Sequence, residues 1–164
     1  MLSSGDIQIR RFDPSDAERL ALVYLDSARH HASIDPERYI VPPLDDVMAR
    51  YLGGGQHPPD AYSLTLVAEH GSEIVGFVDG WLQRPTDLMH RPVTICFIAE
   101  IGVSESARSQ GIGALLMQAM EAWGRTNGAE YTLLEYNAHN ARARRFYEER
   151  MGYRSGSTVA IKRL

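Results

Sequence analysis

Hydrophobic residues recur along this chain with two different periods, and each change of period marks a change of element. Ile7 to Phe12 reads as a first strand. Asp13-Pro14 then offers a capping residue followed by proline at the first helical position, and Ala17, Leu20, Ala21, Tyr24, Leu25, Ala28 and Ala32 recur at helical spacing. That spacing predicts a helix ending near Ala32. Residues 33–43 carry Asp35-Pro36 and Pro42-Pro43 and are expected to be partly irregular, ahead of a short helix from Leu44 to Tyr51. Gly53-Gly54-Gly55 and Pro58-Pro59 break the chain again. Tyr62 to Glu69 and Glu73 to Gln83 are rich in strand formers, with His70-Gly71-Ser72 between them as a hairpin turn.

After a loop over Arg84 to Pro92, Val93 to Val103 alternates. Val93, Ile95, Phe97, Ala99, Ile101 and Val103 fall on one face; Thr94, Cys96, Ile98, Glu100 and Gly102 fall on the other. Both faces are mostly apolar, as in a central strand. From Gly111 the period turns helical through Ile112, Leu115, Leu116, Ala119, Met120 and Trp123, until Asn127-Gly128 stops it. Tyr131 to Tyr136 returns to strand, Asn140 to Arg150 to helix with Gly152 as its stop, and Val159 to Leu164 predicts a short closing strand. The order implies an α/β fold: a mixed central sheet flanked by helices, its 62–103 meander antiparallel and its later strand–helix–strand units parallel.

With 164 residues, 44% of them hydrophobic, the chain suits one domain over 1–164 and is too short for two catalytic domains. Its net charge of −4 gives no whole-chain footprint for nucleic acid. The distribution is uneven, however. Over residues 136–164, Arg142, Arg144, Arg145, Arg150, Arg154, Lys162 and Arg163 outnumber Glu148 and Glu149, so a polyanionic ligand is expected toward that end. Cys96 is the only cysteine, which excludes an intrachain disulfide and any zinc-type spacing, so no metal is expected. The first residues lack the build of a secretory signal and no run of 18 apolar residues occurs. A cytoplasmic protein without a membrane partner is the expectation.

Arg108-Ser109-Gln110-Gly111-Ile112-Gly113 sits where the apolar strand hands over to a helix. A helix N-terminus presents unpaired amide donors and a positive dipole end, and glycines let phosphate oxygens approach the backbone. A tight connection using glycine for packing alone is the plainer alternative. The P-loop pattern is absent, because Ala114-Leu115 rather than Lys-Ser/Thr follows Gly113, and the dinucleotide pattern lacks its third glycine.

The Arg108 to Gly113 run resembles the acetyl-CoA signature, Arg/Gln-x-x-Gly-x-Gly/Ala, of the GNAT superfamily of N-acetyltransferases. Asn140 to Tyr153 resembles that family's second motif, in which an Asn, an Ala, an aromatic pair and a Gly-aromatic end recur at these intervals. The resemblance covers residues 93–153 and implies a GNAT-like fold using acetyl-CoA as cosubstrate. By the same resemblance Ile101 and Val103 lie on the strand that pairs with the pantetheine arm. Arg108, Ser109, Gln110, Gly111, Ile112 and Gly113 would hold the pyrophosphate through main-chain amides, Asn140 would bond the cofactor arm, and Tyr147 would protonate the departing thiolate. Homodimerisation is a family analogy. Spacing alone would place Tyr147 with Ala143 and Phe146 on a core stripe.

Acetyl transfer needs a neutral amine, a stabilised carbonyl oxygen and a proton for sulfur. Glu100, in a largely apolar strand, is the candidate base, since burial would raise its pKa toward the working range; a bulge would change the face it occupies. Water-mediated deprotonation and His139 are the competitors. Cys96, mid-strand, is a poor nucleophile. The family's acceptor border maps to roughly residues 30–45 and 84–92. The first is acidic through Asp35, Glu37, Asp45 and Asp46, whereas Arg84, His90 and Arg91 oppose that charge. The expected activity is transfer to a primary amine of a small molecule or peptide in a ternary complex. A non-catalytic acyl-CoA-binding module and a nucleotide-binding regulatory domain are the rivals.

Overall fold

The computed structural model describes residues 7–55, 57–58 and 61–162. Five strands form one sheet in sequential order: β1 (Ile7–Arg11), β2 (Ser63–His70), β3 (Glu73–Gln83), β4 (Thr94–Val103) and β5 (Ala129–Leu134). The first four pair antiparallel, and β4 with β5 is parallel, as the connection through α3 (Ile112–Thr126) requires. Helices α1 (Ala17–Ile34) and α2 (Leu44–Leu52) cover one face; α3 covers the other.

The two layers have separate cores. Leu20, Val23, Val47 and Tyr51 from α1 and α2 pack on Val67 and Phe77 of the sheet. Ile112, Leu116, Met117 and Met120 of α3 pack on Leu66, Val78, Cys96 and Ile98 from the opposite side. Alternation along the strands produces this division: Phe77 and Val78 are neighbours in β3 and serve different cores. Helix α3 lies close on β4, because a Cβ at Gly124 would come within 2.7 Å of the Cys96 Cβ.

The start of α1 is fixed by charge. Asp13 accepts from the Ser15 amide while Asp16 accepts from the Asp13 amide, a reciprocal cap. The fully buried Asp16 carboxylate also takes two bonds from Arg10 of β1, at 2.6 and 2.9 Å, and one from Arg19 at 2.7 Å. Arg10 reaches Glu69 of β2 as well. The Arg10 hydrogen bonds hold the Asp16 carboxyl below its usual range.

Three expectations change. Residues 159–162 form no strand, while Arg163 and Leu164 lie outside the described residues, so the second parallel unit is absent from the described sheet. Val159 and Ile161 have the alternation of a strand but stand exposed and pair with no neighbour, β5 remaining the edge of the described sheet. The helix expected over 140–150 is α4 (Ala141–Arg144) followed by a π turn, Arg145–Arg150, a local widening often found at functional sites. The single alternation assigned to Val93–Val103 is also broken. Glu100 faces Asp79 and Ile98 faces Gly80, which leaves Ala99 as an unmatched bulge residue.

Because Asp16 joins two guanidiniums and a backbone amide, Asp16→Ala is expected to cost about 3 kcal/mol of stability, read as a lower urea midpoint with unchanged slope. The Asp16 contribution is present above the unfolded carboxyl pKa and disappears as pH falls through the lower folded value, so the gap between variant and parent should close in acid.

Candidate active site

The bulge at Ala99 organises the site. Before it, Cys96 and Ile98 face α3; after it, Ile101 and Val103 pack on that core instead, and Gly102 turns to the opposite layer, where its Cβ would strike Phe77 at 2.6 Å. Glu100 therefore does not share a face with Cys96 and Ile98. It faces α1, and Ser27 donates to its Oε1 at 3.2 Å. Pairing of β4 with β5 ends at Ile98 and Leu134, while β4 runs on to Val103. Beyond that point the two strands part, leaving β4 without a ladder partner on its β5 side.

The parting opens a cleft of about 2370 Å³, well above the roughly 300–1,000 Å³ of a small-ligand pocket. Ile101, Val103, Arg108, Ser109, Gly111, Ile112 and Gly113 line it, together with Glu100, Asn140 and Tyr147. Gln110 is outside this lining; its side chain donates to the Ser106 carbonyl.

At the cleft end of α3 the backbone turns through Ser109 at φ 64° and Gly111 at φ 87°. The left-handed cap at Gly111 strains a side chain in the folded backbone. Ala114 and Leu115 donate to the Gly111 carbonyl, whereas the amides of Gly111, Ile112 and Gly113 make no backbone bond among the described residues. Those amides suit an anion. Arg150 reaches to 3.5 Å from where a Gly111 Cβ would stand. The Arg108 side chain is committed elsewhere, donating to the carbonyls of Val103 and Asp26. Desolvation and the Arg108 charge lower the Arg142 pKa, which marks a place where an anion would relieve repulsion.

Glu100 is half-buried, and packing around its carboxyl raises the pKa from 4.5 to about 7. The buried Asp79 across the ladder adds to the rise; Ser27 and Arg50 oppose it. Asp79 accepts from Thr65 at 2.8 Å, so Thr65, Asp79 and Glu100 form a polar row across three strands. Tyr147 is buried, and desolvation, helped by the Glu100 charge, raises its phenol pKa. Its ring packs among Tyr136, Phe146 and Tyr153. Both the core stripe and the cleft placement therefore hold for this residue. Asn140 caps α4, its Oδ1 accepting from Ala143. Burial pushes the Cys96 thiol up to about 11, keeping it protonated. His139 is an exposed loop residue on the cleft wall.

Of the two expected acceptor borders, His30, His31, Asp35, Glu37, Arg38, Tyr39 and Ile40 line the cleft, and residues 84–92 do not. Asp45 and Asp46 lie instead in the first turn of α2. Burial and His30 lower the His31 pKa. Two polar features of the cleft region escaped sequence reasoning. The buried Asn137 donates to Asp35 at 3.1 Å across 102 positions, tying the end of α1 to the loop after β5, and no local signal foretells it. Asp79 had a usable signal: a lone acid between apolar residues and glycine in Gly76-Phe77-Val78-Asp79-Gly80. Among the described residues no group of three or more His, Cys, Asp or Glu could hold a metal ion, and no helix is long and apolar enough to cross a membrane.

A model of the acetyltransferase (GNAT) family matches residues 20–153. The chain is 32% identical over 115 residues to the probable N-acetyltransferase HLS1 of Arabidopsis thaliana, covering 60% of this chain and 28% of that protein. It is also 32% identical over 87 residues to the uncharacterized N-acetyltransferase YhfO of Bacillus subtilis, covering 53% of this chain and 56% of that one. This chain thus spans between 28% and 56% of the length of these curated relatives. In three dimensions it is similar to a mutant of the BH1408 protein of Bacillus halodurans, with TM-score 0.80, 20% identity and coverage of 96% and 99% of the two chains. It is similar also to the aminoglycoside N-acetyltransferase AAC(6')-Iy solved with CoA, with TM-score 0.70, 18% identity and coverage of 96% and 94%. At these identities the structural likeness speaks for the fold alone.

A carboxyl whose pKa rises from 4.5 to about 7 on folding contributes stability that is full below 4.5 and is lost as pH climbs through 7. Glu100→Gln should therefore gain stability over the parent between pH 5 and 8, by up to about 3 kcal/mol. Thermal melts across that range check it; a constant difference would mean that Glu100 ionises as an ordinary surface acid.

Proposed function

We propose a direct acetyl transfer from one premise: the chain belongs to the GNAT acetyltransferase family. Its reaction carries the acetyl group of acetyl-CoA to a primary amine of a small molecule or peptide, with both substrates bound at once. The observation that carries this reading is the parting of β4 from β5, which gathers an amide cradle, a carboxyl with raised pKa and a buried phenol along one cleft. The residues fit acetyl-CoA: the amides of Gly111, Ile112 and Gly113 suit its pyrophosphate, and the unpaired side of β4 at Ile101 and Val103 suits the amides of its pantetheine arm. Bound there, acetyl-CoA supplies an activated acyl group. Asn140 is proposed to hold the same arm.

Glu100 is proposed as the base. With a pKa of about 7 it is half ionised at neutral pH, matched to removing a proton from an amine as that amine becomes acylated. Tyr147 retains its proton throughout this range and donates to sulfur as negative charge develops there. The acceptor is proposed to approach from the α1 end of the cleft, where Asp35 and Glu37 favour a cationic amine over an anion.

Calorimetric titration with acetyl-CoA, CoA and ATP tests the cofactor. Both CoA species should saturate the protein and ATP should not, and Gly111→Val should weaken binding about tenfold or more in samples whose circular dichroism shows a retained fold, with a lower melting temperature from the strained backbone. No binding of acetyl-CoA by folded protein would end this reading. Turnover followed by thiol release should rise with pH through about 7 and level above it, a limb missing in Glu100→Gln. A surviving limb assigns the base to water. Tyr147→Phe should bind acetyl-CoA normally and turn over about a hundredfold more slowly; normal binding without turnover by the parent on any amine favours the acyl-CoA-binding module.

A further inference from the structure

Of the 17 lysine and arginine residues in this sequence, Lys162 is the one lysine. Arginine cannot replace it as an acceptor, because a guanidinium stays protonated and offers no free amine lone pair. Its place in the fold is equally particular. The segment after Tyr153 runs without secondary structure along the cleft, and Ser155, Ser157, Val159, Ile161 and Lys162 all line it.

The segment is anchored beside the site. Tyr153 donates its phenol to Glu121 at 2.7 Å, and its amide bonds the Tyr147 carbonyl at 2.9 Å. Ser155 and Tyr136 both donate to Glu148, the residue after Tyr147. From Ser155 to Lys162 the chain can extend at most about 25 Å, and residues 156–162 have no strand or helix to hold them back. The tether therefore confines the Lys162 amine to the wall of the cleft that also holds Glu100 and Tyr147, which raises its local concentration there.

We propose that Lys162 is a self-acetylation site, its ε-amine serving in cis as an acceptor for the chain's own acetyl transfer. The inference rests on the proposed function. After losing its extra proton to solvent, the Lys162 nitrogen attacks the thioester carbonyl. The C–N bond forms and the C–S bond breaks, with the electron pair leaving on sulfur. Glu100 takes one of the two protons left on nitrogen, the other staying as the amide N–H, and Tyr147 supplies the proton that sulfur gains, leaving N-acetyl-lysine and CoA thiol. Acetylation also removes a positive charge from the cleft wall.

The protein is incubated with acetyl-CoA alone and followed by intact mass and peptide mapping, with thiol release on a small-amine panel measured in parallel. One acetyl group at Lys162 is expected, at a first-order rate unaffected by dilution. It should be lost in Lys162→Arg and slowed at least tenfold in Glu100→Gln, while Lys162→Arg acetylates small amines as the parent does. Small-amine turnover with Lys162 unmodified overturns the self-acetylation and leaves the proposed function standing. Modification at equal rates in native and heat-unfolded protein would show uncatalysed chemistry and overturn it too. A dilution-dependent rate overturns the cis assignment. Absence of acetyl-CoA binding removes the proposed function itself.

Discussion

Ala99 has no partner in β3, and that one unmatched residue decides what the two halves of β4 face. Up to Ile98 the strand is an ordinary wall of the α3 core. Past the bulge the pleat has slipped by one position, so Ile101 and Val103 inherit the α3 side and Glu100 is turned toward Ser27 of α1. A bulge also increases local twist, and the pairing of β4 with β5 ends at the residue before it. The same defect re-aims an acid and accompanies the parting of two strands. Without the slip, Glu100 would point at the methionines of α3, where a carboxylate has no polar partner and would have to be neutral.

The rest of the site depends on this local break in regularity. Glu100 stands opposite Asp79, which a threonine hydroxyl satisfies on the neighbouring strand, so the polar row costs less than isolated buried acids would. Its neighbours pull in both directions: packing and Asp79 resist ionisation, Ser27 and Arg50 favour it. The resulting pKa near neutrality is a balance in which desolvation outweighs the Ser27 and Arg50 contributions. Tyr147 is governed by the same field with the opposite consequence. A nearby carboxylate and a dry environment both make the phenol hold its proton, so one interaction separates the roles available to the two groups.

This logic explains which features the sequence disclosed. The Gly111-Ile112-Gly113 turn was legible because left-handed backbone and exposed amides demand glycine at fixed places, a requirement written in local residues. The helical stripe of α3 and the antiparallel meander were legible for the same reason: each is a short-range period. The bulge was not, because both faces of Val93 to Val103 are mostly apolar and a one-residue slip hardly alters the pattern. The closing strand expected at Val159 shows the converse. Alternation there is genuine, but a strand needs a neighbour, and no residue count reveals that β5 leaves its outer edge unpaired among the described residues. The bond from Asn137 to Asp35 joins positions too far apart for any period to connect.

The charge asymmetry of the chain acquires a spatial meaning in this fold. Arg142 and Arg150 approach the amide cradle, while Asp35, Glu37 and Glu100 occupy the α1 side of the same cleft. Arg38, 3.8 Å from Asp35, offsets part of the acidic charge on that side, and under the proposed function this division of charge would steer a polyanion and a cationic amine to different ends of the cleft. Under the proposed function, steering of this kind would act on encounter and register more than on final affinity. The Asn137–Asp35 bond joins the two ends mechanically: the loop that leads into Asn140 is tied to the turn that carries Asp35. Through this part-buried hydrogen bond the loop after β5 and the end of α1 are held against each other across the cleft, which under the proposed function would keep its cofactor and acceptor sides in register.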